Sequence, residues 1–153
     1  MIPTYTIAPA AIGRSTAQTK AQLLSDLADR FAHAYRLDSA EVLAGLRERE
    51  KLGSTGFGRG VAMPHARIAG ISEPVCALVR VAAPVDFDAA DTLPVDLAFG
   101  LLSPMRAGAE HLHALAAISR LMRDDRVRER LIDAPNDEAA YALLSDGIAQ
   151  DAA

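Results

Sequence analysis

Between Arg49 and Arg67 the chain reads Arg-Glu-Lys-Leu-Gly-Ser-Thr-Gly-Phe-Gly-Arg-Gly-Val-Ala-Met-Pro-His-Ala-Arg. Gly53, Gly56, Gly58 and Gly60 fall inside it, four of the ten glycines in the sequence. A loop so rich in glycine loses much conformational entropy on folding. It belongs where the backbone turns sharply or where something must come close. The stretch then becomes apolar and delivers a single histidine, His65, directly after Pro64.

The other bounds are broad. A chain of 153 residues fits one domain with a real core, here residues 1–153 with an ordered part expected over about 4–147. Half the residues are apolar and 24% are charged, an ordinary globular composition. The net charge of −4 and the absence of a basic stripe argue against nucleic acid as a partner. The apolar runs are strand-length, so no membrane-embedded segment is expected. The N-terminus lacks the basic region and apolar core of a signal peptide, and Cys76 is the only cysteine. These features lead to the expectation of a cytoplasmic protein.

Along the chain, Thr4 to Ile7 reads as a short first strand. Leu24, Leu27, Ala28, Phe31 and Tyr35 recur at helical spacing and predict a helix over about 19–35, with His33 off the stripe and facing solvent. Asp38 caps the next helix, with Glu41 three residues on as in a capping box. In that helix Val42, Leu46 and Arg49 share one face. Arg49 therefore projects from the apolar side at the helix end, beside the glycine loop, whereas Arg47 and Glu48 read as solvated charges. Val61, Met63 and His65 alternate with Ala62 and Pro64, a short strand whose far end presents His65. Val75 to Val81 and Val95 to Leu102 read as further strands, joined by an acidic connection. A helix over about 107–122 carries His111, Leu115, Ile118 and Met122 on one stripe. His113 lies about 200° round from His111, so the two cannot chelate as a pair. A short helix follows Asp124 or Asp125, and a last one, capped by Asn136, ends at Gly147 ahead of a frayed tail. The order β-α-α-β-β-β-α-α-α implies an α/β (α+β) fold, a mixed sheet with helices on both faces.

Several chemistries can be weighed against these residues. The loop lacks the Gly-Lys-Ser/Thr ending of a Walker phosphate loop, and it follows a helix and precedes a strand, the wrong context for a dinucleotide fingerprint. A Ser-His-Asp hydrolase from Ser54, His65 and an aspartate has no nucleophile elbow to support it. A zinc site from His65, His111 and a carboxylate lacks ligand spacing. No metal and no cofactor is expected. What remains is one histidine at a strand end, one arginine at a helix end and one inward histidine. That set suits phosphoryl transfer through histidine. A neutral imidazole is nucleophilic, an arginine fork can hold two phosphate oxygens, and a second histidine can orient the first.

The run from Arg49 to His65 closely resembles the signature of the type-2 enzyme IIA domains of the bacterial phosphotransferase system, the fructose, mannitol and nitrogen family. The likeness continues through Val85-Asp86-Phe87-Asp88-Ala89-Ala90-Asp91 and Pro94-Val95-Asp96-Leu97 to His111-Leu112. It implies a three-layer αβα sandwich with a mixed sheet. It also implies that His65 accepts a phosphoryl group on Nε2, giving tele-phosphohistidine, with Arg49 and His111 completing the active centre. It further implies that Ser54, Thr55, Gly56, Gly58 and Gly60 form the phosphate-site loop. The pattern departs at Arg59, where asparagine is frequent, at Met63, where isoleucine or valine is usual, and at Ala66, where glycine is frequent.

Arg-Glu-Lys-Leu-Gly-Ser-Thr-Gly looks most like the nitrogen-type regulators, and a chain that stands alone, with no sugar-binding IIB or membrane IIC part, is expected. The resemblance then implies a phosphoryl carrier, not a stand-alone turnover enzyme. It would be charged by an HPr-like phosphocarrier and would bind regulatory targets, such as a potassium transporter or a sensor kinase, according to its phosphorylation state. The alternatives are a free-standing fructose- or mannitol-type IIA that passes phosphate to a IIB domain for sugar uptake, and a binding module that has lost phosphoryl transfer.

Overall fold

The computed structural model describes residues 4–152, with side chains described as far as Asp146. The elements are β1 (Thr6–Ser15), α1 (Lys20–Tyr35), α2 (Ser39–Lys51), β2 (Gly56–Gly58), β3 (Val61–Ala62), β4 (His65–Ile68), β5 (Val75–Val85), β6 (Val95–Pro104), α3 (Ala109–Arg123), α4 (Asp125–Asp133) and α5 (Asp137–Ala152). They form one mixed six-stranded sheet in the order β1-β5-β6-β3-β2, with β4 also paired to β6. β5 and β6 run antiparallel, β1 lies parallel to β5, and β3 and β4 lie parallel to β6. Helices cover both faces. Gly100 of β6 faces Leu27 and Phe31 of α1, and Ala66 of β4 faces Gly45 of α2. From the other face, His111 of α3 reaches Ser103 of β6, and Asp137 of α5 reaches Arg80 of β5.

The helix starts follow capping chemistry. Thr19 accepts from Gln22 N–H, Asp38 from Ala40 N–H, Asp124 from Arg126 N–H and Asn136 from Ala139 N–H. His33 is exposed. α5 continues through Gly147, so that glycine is not the stop expected from the sequence; the tail expectation reaches Ala153, outside the described residues.

The strands depart further from expectation. The first strand, expected over Thr4–Ile7, begins at Thr6 and runs to Ser15, through Ala8-Pro9-Ala10-Ala11, where alternation is lost. Its register to β5 slips between Ile7, opposite Cys76, and Ile12, opposite Leu78, so four residues of β1 bulge against one of β5. Tyr35 of α1 fills the gap. Its hydroxyl accepts from Ala8 N–H at 3.0 Å and donates to the Cys76 carbonyl at 2.5 Å, replacing the lost ladder bonds. The glycine loop contains a hairpin that the sequence did not reveal, β2 to β3. The two residues at its tip, Arg59 and Gly60, both have positive φ, at 58° and 85°. Such turns favour Asn-Gly, and Arg59 holds the first of the two positions in a left-handed conformation. The strand expected over Val61–His65 is two strands. Both β3 and β4 pair along the same edge of β6, interrupted at Met63 and Pro64, so His65 opens β4 instead of ending a strand.

Sheet and helix approach closely at Gly100. A Cβ there would lie 2.7 Å from Phe31 Cε2 and 2.9 Å from Leu27 Cδ2, both fully buried side chains. Gly100→Ala is therefore expected to destabilise the fold by about 1–3 kcal/mol through overpacking, read as a lower urea midpoint with unchanged slope. An unchanged midpoint would show that α1 is not seated this tightly.

Candidate functional site

His65 takes its place from the break in the sheet edge. Pro64 has no N–H, but its carbonyl accepts from Leu101 N–H at 3.0 Å, so β6 stays bonded across the interruption. His65 then pairs with Leu101 and opens β4 on the outer edge of β6. There it can be reached from both helical layers, by the C-terminal end of α2 and the N-terminal turn of α3.

Arg49 comes from α2. Val42 and Leu46 bury the same helix face completely, and Arg49, one turn on, is half-buried. Its Nε donates to His65 Nε2 at 3.1 Å and its Nη1 to the Gly53 carbonyl at 2.9 Å. On the opposite side of the ring, His65 Nδ1 lies 2.8 Å from the Met63 carbonyl. A carbonyl can only accept, so Nδ1 carries the hydrogen and Nε2 keeps the lone pair. That protonation state also suits the Arg49 donor, and both neighbours therefore select one tautomer.

His111 comes from the first turn of α3 and is buried, while His113 is exposed. Its Nδ1 is 2.6 Å from Ser103 Oγ, and its ring centre is 5.6 Å from that of His65. Arg67, two residues along β4, donates Nε to the Ala107 carbonyl at 3.0 Å. The shallow cleft at His65 is lined by Arg49, Arg67 and His111 together with apolar Leu52, Leu112 and Leu115. Leu52 and Leu112 are both strongly exposed, giving the cleft an apolar rim around a basic floor.

Both imidazoles are held neutral. Burial lowers the His65 pKa below the usual 6.5, reinforced by the charges of Arg49 and Arg67, against the pull of the Met63 carbonyl and Glu50. Burial, then Arg67 and His65, lower that of His111 to about 4. Neutral histidines beside two arginines make a site that can supply a nucleophile and fixed positive charge at the same place.

The structure thus brings Arg49, His65 and His111 together. It places the glycine-loop residues differently. Ser54 Oγ donates to the Phe87 carbonyl at 2.7 Å and accepts from Gly56 N–H at 3.0 Å, and Thr55 Oγ1 donates to Glu50 at 2.6 Å. Both hydroxyls are already engaged, one with the β5–β6 connection and one with α2. Gly56 lets the loop pass close to Ala89, while Gly58 and Gly60 adopt the positive φ of the hairpin. Sequence reasoning passed over Ser103, which fixes His111, and Glu50, which holds Thr55; neither has a local spacing that marks it. A cavity of about 980 Å³, bordered by Arg14, Asp26, Arg30 and Arg80, lies elsewhere. Among the described residues no helix is long and apolar enough to cross a membrane.

Most of the chain is similar to known proteins. Residues 10–147 match the sequence model of the family described as phosphoenolpyruvate-dependent sugar phosphotransferase system, EIIA 2. The chain is 43% identical over 129 residues to a nitrogen regulatory protein of Pseudomonas aeruginosa, covering 84% of each chain. It is 36% identical over 129 residues to a fructose-specific EIIA component of Haloferax volcanii, again covering 84% of each. Among solved structures it resembles the nitrogen regulatory protein IIA-Ntr of Neisseria meningitidis, with a TM-score of 0.83 and 36% identity over 90% of this chain and 95% of that one. The mannitol IIA of Escherichia coli shares the fold at a TM-score of 0.74 and 19% identity, covering 91% and 99%. The chain belongs to the type-2 EIIA family of the phosphotransferase system, and it is similar over most of its length to members named nitrogen regulatory proteins.

Proposed function

We propose that this protein is a phosphoryl carrier of the nitrogen-regulatory type, charged on His65 Nε2 by an HPr-like phosphocarrier and binding cytoplasmic or membrane-associated regulatory partners according to its phosphorylation state. The observation that carries the reading is the pair of contacts on the His65 ring. Met63 holds the hydrogen on Nδ1 and Arg49 sits at the lone pair of Nε2. The Nε2 lone pair forms the new bond to phosphorus as the donor's bond to phosphorus breaks and its electrons return to the donor. Nδ1 keeps its hydrogen on Met63 in that step. Arg49 gives up the lone pair and turns the same N–H to the phosphoryl oxygens, still tethered through Gly53. The added charge, about −1.5 to −2, reverses the local potential around Arg49 and Arg67. A partner seated on the apolar rim of the uncharged form then meets a desolvation cost, and a partner with a basic rim is attracted.

Incubation with a phosphorylated HPr-like donor should add one acid-labile, base-stable phosphoryl group, and His65→Ala should abolish it. Undiminished labelling of that variant would sink the assignment. Similarity to the fructose-specific component of Haloferax volcanii also supports a sugar-type role, with onward transfer to a IIB domain. Affinity capture with the wild type and His65→Ala separates the two: a recovered IIB domain supports sugar transport, and a recovered ion transporter or sensor kinase supports regulation.

Arg49→Ala is expected to slow phosphoryl acceptance by about 100-fold, as loss of a charge-stabilising donor does elsewhere. Arg49→Lys should lose about 10-fold, because a point charge cannot reproduce the fork. His111→Ala should slow transfer or shorten the life of the phosphorylated form, whereas His113→Ala should do neither. Equal effects of the two histidine variants in a quench-flow assay would remove His111 from the site.

The pH profile has a defined sign. The neutral ring is the nucleophile and its pKa is lowered from 6.5, so acceptance should stay flat as pH falls to that value and decline only below it. A decline already centred above pH 6.5, with a donor whose own titration is accounted for, contradicts the environment described for His65.

A further inference from the structure

The last turn of α2 carries Arg49 and Glu50 side by side, and only the first of them touches His65. Glu50 is nearly enclosed, with a side chain 6% exposed. Its carboxylate takes three donors: Thr55 N–H at 2.7 Å, Thr55 Oγ1–H at 2.6 Å and Lys20 Nζ at 3.1 Å. Lys20 itself is held with its ammonium 4.6 Å from the centre of the Phe87 ring. A carboxylate this buried is retained only when its oxygens are fully used, and here most of its hydrogen bonds go to one residue of the glycine loop.

Thr55 passes the constraint on. Its carbonyl accepts from Met63 N–H at 2.9 Å, and the Met63 carbonyl accepts from His65 Nδ1 at 2.8 Å. The line from Glu50 to Thr55, Met63 and His65 leaves α2 next to Arg49 and returns to the ring that Arg49 grips directly. We propose, on the reading of His65 as phosphoryl acceptor, that Glu50 is a positioning residue that acts through Thr55 and Met63 to hold the His65 ring in its Nδ1–H form with Nε2 facing the donor. Arg49 orients the nucleophilic nitrogen from one side and Glu50 sets the other nitrogen's partner. Two neighbouring residues of a single helical turn therefore fix both ends of the imidazole axis. Lys20 neutralises the buried carboxylate, so the device adds little net charge beside the incoming phosphoryl group.

The test uses the full chain in its unphosphorylated form and needs no donor for its first readout. Two-bond ¹H–¹⁵N imidazole spectra at neutral pH should show His65 of the wild type as the Nδ1–H tautomer alone. Glu50→Gln and the near-isosteric Thr55→Val should show tautomer exchange at His65, and Thr55→Ser, which keeps the hydroxyl, should restore the single form. In transfer assays with a phosphorylated HPr-like donor, Glu50→Gln and Thr55→Val should lower the maximal rate about 10- to 100-fold with the half-saturating donor concentration unchanged. Backbone spectra identify variants that keep the fold, and Thr55→Val carries the test if Glu50→Gln does not. A folded variant with the wild-type tautomer pattern and maximal rate overturns the proposal. A wild type that takes no phosphoryl group, with tautomer exchange still appearing in the variants, would overturn the carrier function and support the positioning role.

Discussion

The site depends on an interruption. β3 and β4 lie along the same edge of β6, and the ladder between them is broken at Met63 and Pro64. An unbroken strand would run His65 into a regular pleat with both backbone groups paired. Here Pro64 keeps the chain attached through its carbonyl, and the Met63 carbonyl is left free to accept from the imidazole. The same break gives β6 two short outer partners where one long strand would have covered the edge. Side chains from α2 and α3, in different layers, meet at that edge.

Around this point polar groups are satisfied locally and charges are paired with restraint. The Ser54 and Thr55 hydroxyls are engaged with the β5–β6 connection and α2, Arg67 is tethered to Ala107, and Ser103 fixes His111. Such full use of hydrogen bonds makes the site stiff before any ligand arrives, which is the condition for electrostatic catalysis without reorganisation. The exposed Leu52 and Leu112 border a cleft whose arginines, Arg49 and Arg67, are already tethered to backbone carbonyls.

The helices and the principal site residues were legible from sequence because their signals are local. Asp38 and Asn136 mark helix starts by capping chemistry within four residues, and Arg49 shares a face with Val42 and Leu46 by simple periodicity. The strands were less legible because their continuity is decided across the sheet. Nothing in Ala8-Pro9-Ala10-Ala11 announces a strand, and the bulge is satisfied from α1, by the hydroxyl of Tyr35, 27 residues away from Ala8, and by Arg30 at the Ala10 carbonyl. The split at Pro64 and the hairpin at Arg59 likewise depend on β6 and on Asp91, whose carboxylate accepts from Arg59 N–H at 2.8 Å. Glu50 hid inside what reads as a charge run, because its partner lies in a loop and not on its own helix.

The contact of α1 with Gly100 bears on time as well as on space. Gly100 precedes Leu101, the residue whose amide holds Pro64 and whose backbone pairs with His65. No side chain separates the helix from the strand there, so β6 cannot flex locally without lifting α1 away, an event as costly as unfolding the domain. The exposed Arg59 at the hairpin tip is held by side chains, its amide by the Asp91 carboxylate. Two clocks are therefore expected in amide hydrogen exchange: a slow one at Leu101, on the scale of the lifetime of the fold, and a faster one at the hairpin tip, set by how often Asp91 lets go.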